Sequence, residues 1–177
     1  GNNVPSSHLV PELGSSQINQ IQENEIEKEK EPCGEGGFGR VYKGKYMKER
    51  QVAIKELKIV KDDIEDKEEK VREFIQEIQW LHYAKHPNLM ELIGIILSPP
   101  SIVLPFCEYG SLFDYAEGKR EKDKPNLSWI LRLRILIDIS NGMNYLHSLD
   151  PPIIHCDLKS PNILLMSMKY DDEIVCK

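Results

Sequence analysis

Cysteine is scarce and badly spaced for either of its usual structural uses. Cys33, Cys107, Cys156 and Cys176 stand far apart in the 177 residues, with no Cys-x-x-Cys pair and no neighbouring pair of histidines to complete a zinc site. That pattern excludes a disulfide framework and fits a reduced, intracellular protein. Basic charge is not in excess either: 23 Lys and Arg against 29 Asp and Glu leave a net charge of -6. There is no overall field to draw in a polyphosphate backbone, so nucleic acid is not expected as a partner. Long apolar runs are also lacking. The most apolar stretch, Trp129 to Ile139, is broken by Arg132, Arg134 and Asp138, so membrane insertion is not expected. No basic patch followed by an apolar stretch opens the chain. It begins on Gly1, which reads as a processed or truncated start, and any targeting signal would have gone with it. Asn126-Leu127-Ser128 has the form of a glycosylation sequon, but that carries weight only in a secreted chain and is read as chance.

What is present is globular. A hydrophobic fraction of 40% with 29% charged residues can build one sizeable core, or the front of a larger one. Residues 1–22, with their Asn, Ser, Gln and Pro and no sustained apolar period, read as a disordered tail or linker. Glu23 to Glu31 is a charged run read as a solvated segment leading into an edge strand. Strand formers dominate from Arg40 to Lys58 and predict a hairpin. Val71, Phe74, Ile75, Ile78 and Leu81 then recur at helical spacing within Asp66 to Ala84, which predicts an amphipathic helix. Past His86-Pro87-Asn88, the runs Leu92 to Leu97 and Ile102 to Phe106 predict a second pair of strands. Ser111 is placed to cap a short helix through Ala116. Leu127 to His147 reads as a long helix, apolar around nearly its whole circumference and therefore buried. The fold class is α+β, in two parts.

Three motifs carry chemistry. Gly34-Glu35-Gly36-Gly37-Phe38-Gly39 matches GxGxxG, whose missing Cβ atoms let backbone N–H groups approach phosphate oxygens. A dinucleotide fold needs a helix to start within the motif, and strand formers follow instead; the Walker loop needs Gly-Lys-Ser/Thr, which is absent. A glycine-rich hairpin over phosphates remains, with Val41 placed to cover a base. Val52-Ala53-Ile54-Lys55 sets a lysine in an apolar strand. For an arbitrary lysine a solvent-facing head is the ordinary outcome. Here a half-buried ammonium would need an anion, and Glu77 sits at the margin of the helix's apolar stripe. The third motif is His155-Cys156-Asp157-Leu158-Lys159-Ser160-Pro161-Asn162, followed by Ile163-Leu164-Leu165.

This last run resembles the catalytic loop of protein kinases, and the glycine loop, Val-Ala-Ile-Lys and the helix glutamate precede it in that family's order. With Gly142-Met143-Asn144-Tyr145-Leu146-His147-Ser148, the text resembles the tyrosine-kinase-like branch of the serine/threonine kinases over about Ile26 to Lys177. The resemblance implies a two-lobed fold, with a small antiparallel lobe plus one helix over 23–104 and a hinge and incomplete, mostly helical lobe over 105–177. It implies ATP and Mg²⁺ as cofactors and a protein Ser/Thr hydroxyl as substrate. Asp157 would accept the hydroxyl proton, Lys159 would neutralise the γ-phosphate, Asn162 would hold Mg²⁺, and Lys55, fixed by Glu77, would hold the α- and β-phosphates. Ile102 to Gly110 resembles the hinge, with Leu104 as gatekeeper and Pro105 and Cys107 offering backbone C=O and N–H to adenine. Ser111 would reach the ribose, or serve as a helix cap alone. Ala53 and Leu164 would sandwich the base, or simply pack. A cytoplasmic location follows, or the cytoplasmic side of a membrane protein.

Three departures weigh against a plain carry-over. Cys156 stands where the family has the arginine that pairs with an activation-loop phosphate, which implies activity independent of such phosphorylation. Pro32 removes a ladder donor ahead of the glycine loop and predicts an irregular first strand. The text stops at Ile174-Val175-Cys176-Lys177, where Asp-Phe-Gly would follow, so the 177-mer as written is expected to be inactive and, with Ile130, Leu133 and Ile137 uncovered, aggregation-prone. The alternative to a kinase is a pseudokinase or shortened isoform that acts as a nucleotide- or partner-binding scaffold.

Overall fold

Alternating apolar and polar residues from Gly39 onward fold into successive antiparallel strands, because each strand can then bury one row of side chains. The computed structural model describes residues 18–36, 39–58, 64–117, 127–169, 171–173 and 175–177, with the side chains of 64–67 outside that description. Contacts divide the chain into two units: one runs to Tyr83 and resumes over Glu91–Phe106, and the other holds Ala84–Met90 and Cys107–Lys177. The first unit ends at Phe106, and the turn after the amphipathic helix belongs with the second.

The first unit is a five-stranded sheet of β1 (Ile26–Gly36), β2 (Gly39–Tyr46), β3 (Arg50–Leu57), β4 (Gly94–Leu97) and β5 (Pro100–Pro105), in the order β1-β2-β3-β5-β4, with each neighbouring pair antiparallel. Helix α1 (Ile64–Tyr83) lies against it. One face buries Tyr42, Val52, Ile54, Ile93, Ile96 and Val103. The other buries Leu57, Ile95 and Ile102 against Phe74, Ile75 and Ile78 of α1, the residues whose spacing predicts that helix. Each such side chain contributes about 1.5–3 kcal/mol on leaving water. The register of β1 slips on both sides of Pro32, between Lys28 and Pro32 and again before Gly34, as expected where the ladder loses a donor.

Two readings from sequence are corrected here. The charged run is itself the beginning of the edge strand, since β1 starts at Ile26 after a 3-10 turn at Glu23–Glu25. Residues 18–22 are not tail: Ile21 is 3% exposed within the core, and Gln20 bridges Ile95 of β4. Two isoleucines in five residues were too short a signal for a periodicity argument. The sequon residue Asn126 lies outside the described residues.

The second unit holds α2 (Leu112–Ala116) and α3 (Trp129–Ser148). Ser111 caps α2 as expected, its Oγ accepting from Asp114 N–H at 3.0 Å and donating to Asp114 Oδ2 at 2.7 Å. Ser128 caps α3 by accepting from Leu131 N–H at 3.2 Å. Burial all round α3 is not observed, and the residues expected to be uncovered in these 177 residues, Ile130, Leu133 and Ile137, are exposed. Leu131, Ile135, Asp138, Gly142 and Leu146 form one buried stripe, while Trp129, Ile130, Leu133, Leu136 and Ile137 are 44–70% exposed. A helix buries only the faces that meet a partner, and composition does not supply the partner. The buried stripe packs on Ile163, Leu165, Val175 and Cys176, where residues 164–166 pair with 175–177.

Candidate active site

Strand register places four of the expected residues in one patch of the first unit. Val41 lies opposite Lys55, and Ala53 opposite Leu104. Opposed residues in antiparallel pairs share a face, and Ala53 and Lys55 are two apart on β3, so all four point to the side that carries α1. From α1, Glu77 meets Lys55: Nζ donates to Oε1 at 2.7 Å and to Oε2 at 2.6 Å, with both side chains partly exposed. The lysine of the apolar strand is thus held by the acid singled out from the helix margin.

The glycine motif forms the β1–β2 hairpin, with Gly34 opposite Val41, Glu35 opposite Arg40, and Gly36 opposite Gly39. Gly37 and Phe38 lie outside the described residues. A Cβ on Gly39 would sit 1.9 Å from Glu56 O, so the sheet itself demands glycine there. The other two differ. A Cβ on Gly34 would make ordinary contact with Val41, and one on Gly36 would meet nothing within 4 Å. Glu35 is tied sideways to Lys58 Nζ at 2.6 Å and Arg40 Nε at 3.5 Å. The Lys58 hydrogen bond and charge, with a smaller part from Arg40, hold its carboxyl below the usual range.

In the second unit, the loop after α3 gathers Asp157, Lys159 and Asn162. Lys159 Nζ lies 2.8 Å from Asp157 Oδ1. Asn162 Nδ2 donates to Asp157 Oδ2 at 2.8 Å and to its backbone O at 2.9 Å. A 3-10 turn at Ser160–Asn162, entered through Pro161, makes this return possible. Cys156 takes φ 60°, a left-handed conformation that turns the chain so that Asp157 N–H donates to His155 O at 2.8 Å. The Lys159 and then the Asn162 hydrogen bonds lower the Asp157 pKa, which keeps this exposed carboxylate ionised.

The remaining expected residues fall on either side of the switch between units. Leu104 is partly buried, and Pro105 ends β5. Cys107 is buried, with Sγ 3.2 Å from Met166 Sδ, and burial pushes its thiol up to about 11. Ser111 bridges Leu164. Among the described residues no His, Cys, Asp and Glu group could hold a metal by itself.

Sequence reasoning missed Asp138, reading it only as a break in an apolar run. It is 1% exposed, pairs with Arg134 Nε at 3.1 Å, and accepts from Val175 N–H at 2.8 Å and Cys176 N–H at 3.1 Å. Arg134 also donates to Glu173 O. A lone acid on the buried stripe with an arginine four residues earlier was the available signal.

A five-stranded antiparallel sheet packed on one helix, followed by a helical unit with an Asp-Lys-Asn loop, is a kinase small lobe and part of the large lobe. Residues 27–176 match the family described as protein tyrosine and serine/threonine kinase, and the chain belongs to it. Among curated relatives, it is 34% identical over 177 residues to the probable serine/threonine-protein kinase roco11 of Dictyostelium discoideum, covering 98% of this chain and 12% of that protein. The probable serine/threonine-protein kinase pats1 of the same organism is 36% identical over 184 residues, covering 99% of this chain and 6% of the relative. Wall-associated receptor kinase-like 10 of Arabidopsis thaliana is 40% identical over 135 residues, covering 75% and 17%. The chain therefore spans under a fifth of the length of each of these relatives.

Proposed function

We propose that this chain carries the nucleotide-holding and catalytic-loop part of an ATP-dependent kinase acting on Ser/Thr hydroxyls of protein substrates. The observation that carries the reading is the Asp157 carboxylate, held ionised by Lys159 and oriented by Asn162. Each of its oxygens has a further lone pair for a substrate O–H. As the substrate oxygen bonds to the γ-phosphorus, the bond to the β–γ bridging oxygen breaks, ADP departs with that electron pair, and Asp157 takes the hydroxyl proton. Lys159 supplies positive charge beside the transferring group, and Lys55, steadied by Glu77, does the same for the α- and β-phosphates. A lysine at position 159, two past the aspartate, supports Ser/Thr specificity, as does the similarity to probable serine/threonine-protein kinases.

The donor chemistry around Asn162 fits Mg²⁺. Its Nδ2 is committed to Asp157, which leaves Oδ1, a hard oxygen of the kind that ion takes. Mg²⁺ would neutralise phosphate charge when bound. Gly34 and Gly36 support the phosphate-cover reading, because the sheet's own packing does not require glycine at either. Val41, Ala53, Leu104 and Leu164 are assigned to the adenine faces, with Pro105 and Cys107 as backbone contacts and Ser111 at the ribose. None of the four cysteines forms a disulfide, and a cytoplasmic setting belongs to this reading. No helix among the described residues is long and apolar enough to cross a membrane.

Cys156, in the place of the loop arginine, favours a second reading as a non-catalytic scaffold. Because the 177 residues alone are expected to be inactive, transfer of labelled γ-phosphate from Mg·ATP to a basic protein by a chain extended through an Asp-Phe-Gly segment, with Asp157→Asn as control, separates the two. Label on serine that vanishes in the variant supports the kinase; nucleotide binding without transfer supports the scaffold.

A further inference from the structure

The segment ahead of β1 does more than lead into the sheet. Asn19–Ile21 lies parallel to β4, with Ile21 N–H donating to Ile95 O at 2.8 Å and Ile95 N–H donating to Asn19 O at 2.9 Å. Asn19 Nδ2 adds a bond to Ile93 O at 3.1 Å. β4 ends the five-strand order, and this pairing covers an edge that would otherwise present unpaired backbone groups. The two isoleucines, three residues apart, serve opposite faces. Ile21 is buried with Tyr42, Val52 and Ile54. Ile18 packs against the cluster that Phe74, Ile75 and Ile78 of α1 form with Leu57, Ile95 and Ile102.

Gly94 is an independent sign of the same fit. A Cβ there would lie 2.6 Å from Asn19 O and 2.9 Å from the Ile21 side chain. The first residue of β4 therefore lacks a side chain where the segment passes.

We propose that residues 18–21 are a strap that positions Glu77 against Lys55, an inference that rests on reading this ion pair as the nucleotide-holding one. Glu77 lies between Ile75 and Ile78 on α1, so its depth depends on how completely that cluster is filled. Packed interiors respond to a lost contact by shifting, and a shift of about 1 Å would open bonds of 2.6–2.7 Å beyond hydrogen-bond reach. Ile18 and Asn19 are positioning residues. They act through the helix and do not touch the nucleotide in this reading.

The test compares the full chain with Ile18→Ser, Gly94→Ala, Ile18→Leu and Glu77→Gln, reading hydrogen exchange across α1 and affinity for Mg·ATP. The strap predicts faster α1 exchange in both Ile18→Ser and Gly94→Ala. It also predicts a loss of affinity of about fivefold or more, approaching that of Glu77→Gln, with Ile18→Leu close to the original chain. Far-UV and near-UV circular dichroism identify any variant that has simply unfolded; Gly94→Ala, whose new Cβ would meet Asn19 and Ile21 rather than a residue of α1, then carries the decision. Unchanged α1 exchange and affinity in Gly94→Ala and Ile18→Ser, with Glu77→Gln still weakened, would overturn the strap. Should the original chain fail to bind Mg·ATP, the nucleotide reading falls separately. The exchange arm still decides whether the segment holds α1: faster exchange supports it, and unchanged exchange refutes it.

Discussion

Lys55 Nζ donates to both carboxylate oxygens of Glu77, at 2.7 and 2.6 Å, joining the third strand to the helix across 22 positions of sequence. An ammonium on a half-buried strand needs such a partner, and the acid in turn is held on a helix whose neighbours Ile75 and Ile78 are buried. In a chain extended through an Asp-Phe-Gly segment, Lys55→Met is expected to lower phosphoryl transfer by about 10²-fold or more, by removing positive charge from the phosphates. Its effect on melting should be small, within about 1 kcal/mol, because the pair is partly exposed. Initial rates and a thermal melt on the same preparation check both halves; equal loss of stability and activity would point to a purely structural pair.

Asp157 owes its depressed pKa to Lys159 first and Asn162 second. The sign follows from the direction: a lowered folded-state pKa favours folding above the unfolded value, and that contribution is lost as pH falls through the folded value. The Asp157 carboxyl signal in an NMR titration should therefore have its midpoint below the ordinary 3.8, and Lys159→Ala should move it upward. In the extended chain, transfer by Asp157→Asn should fall by about 10²–10⁴-fold with an unchanged fold. A midpoint unmoved by Lys159→Ala would remove the assigned cause.

Asp138 is a buried acid whose partners are Arg134 and two backbone N–H groups at Val175 and Cys176. Asp138→Ala leaves these donors without an acceptor and should cost about 3–5 kcal/mol in a urea melt. Burial and the Asp138 charge push the Cys176 thiol up to about 12, so this cysteine should resist alkylation in the original chain and react in the variant. Rapid labelling of Cys176 before unfolding would contradict the packing.

The row Trp129, Ile130, Leu133, Leu136 and Ile137 presents apolar surface on one side of α3. The 177-residue chain should associate at micromolar concentration, and Leu133→Lys with Leu136→Lys should restore monomer without altering the buried stripe. Sedimentation velocity decides this, and a monomeric original chain would refute it.

Cys156 stands at φ 60°, where a side chain is strained. Cys156→Gly should raise stability by about 0.5–1 kcal/mol in a urea melt, provided no other contact is lost. For the enzyme reading, in a chain extended through an activation loop, activity should be the same in phosphorylated and dephosphorylated preparations, and Cys156→Arg should introduce a dependence. A strong dependence in the original protein would count against that reading.

Much of this protein is determined by local sequence. Period-two strands, the α1 stripe, the Ser111 cap, the Pro32 irregularity and the pairing of Lys55 with an acid at the α1 margin all follow from chemistry within a few residues or from one helix face. The HCDLKSPN run is legible for the same reason: Asp157, Lys159 and Asn162 lie within six positions, and Pro161 bends them together. Tertiary structure decided the rest. Whether residues 18–22 were tail or strap depended on an edge at β4 some 75 positions away, where Gly94 leaves room. Which face of α3 is buried depended on what packs there, and Asp138 became an anchor only when Val175 and Cys176 arrived with unpaired N–H groups. Local pattern records which side chains prefer to leave water; it does not record which partner from a distant segment will cover them.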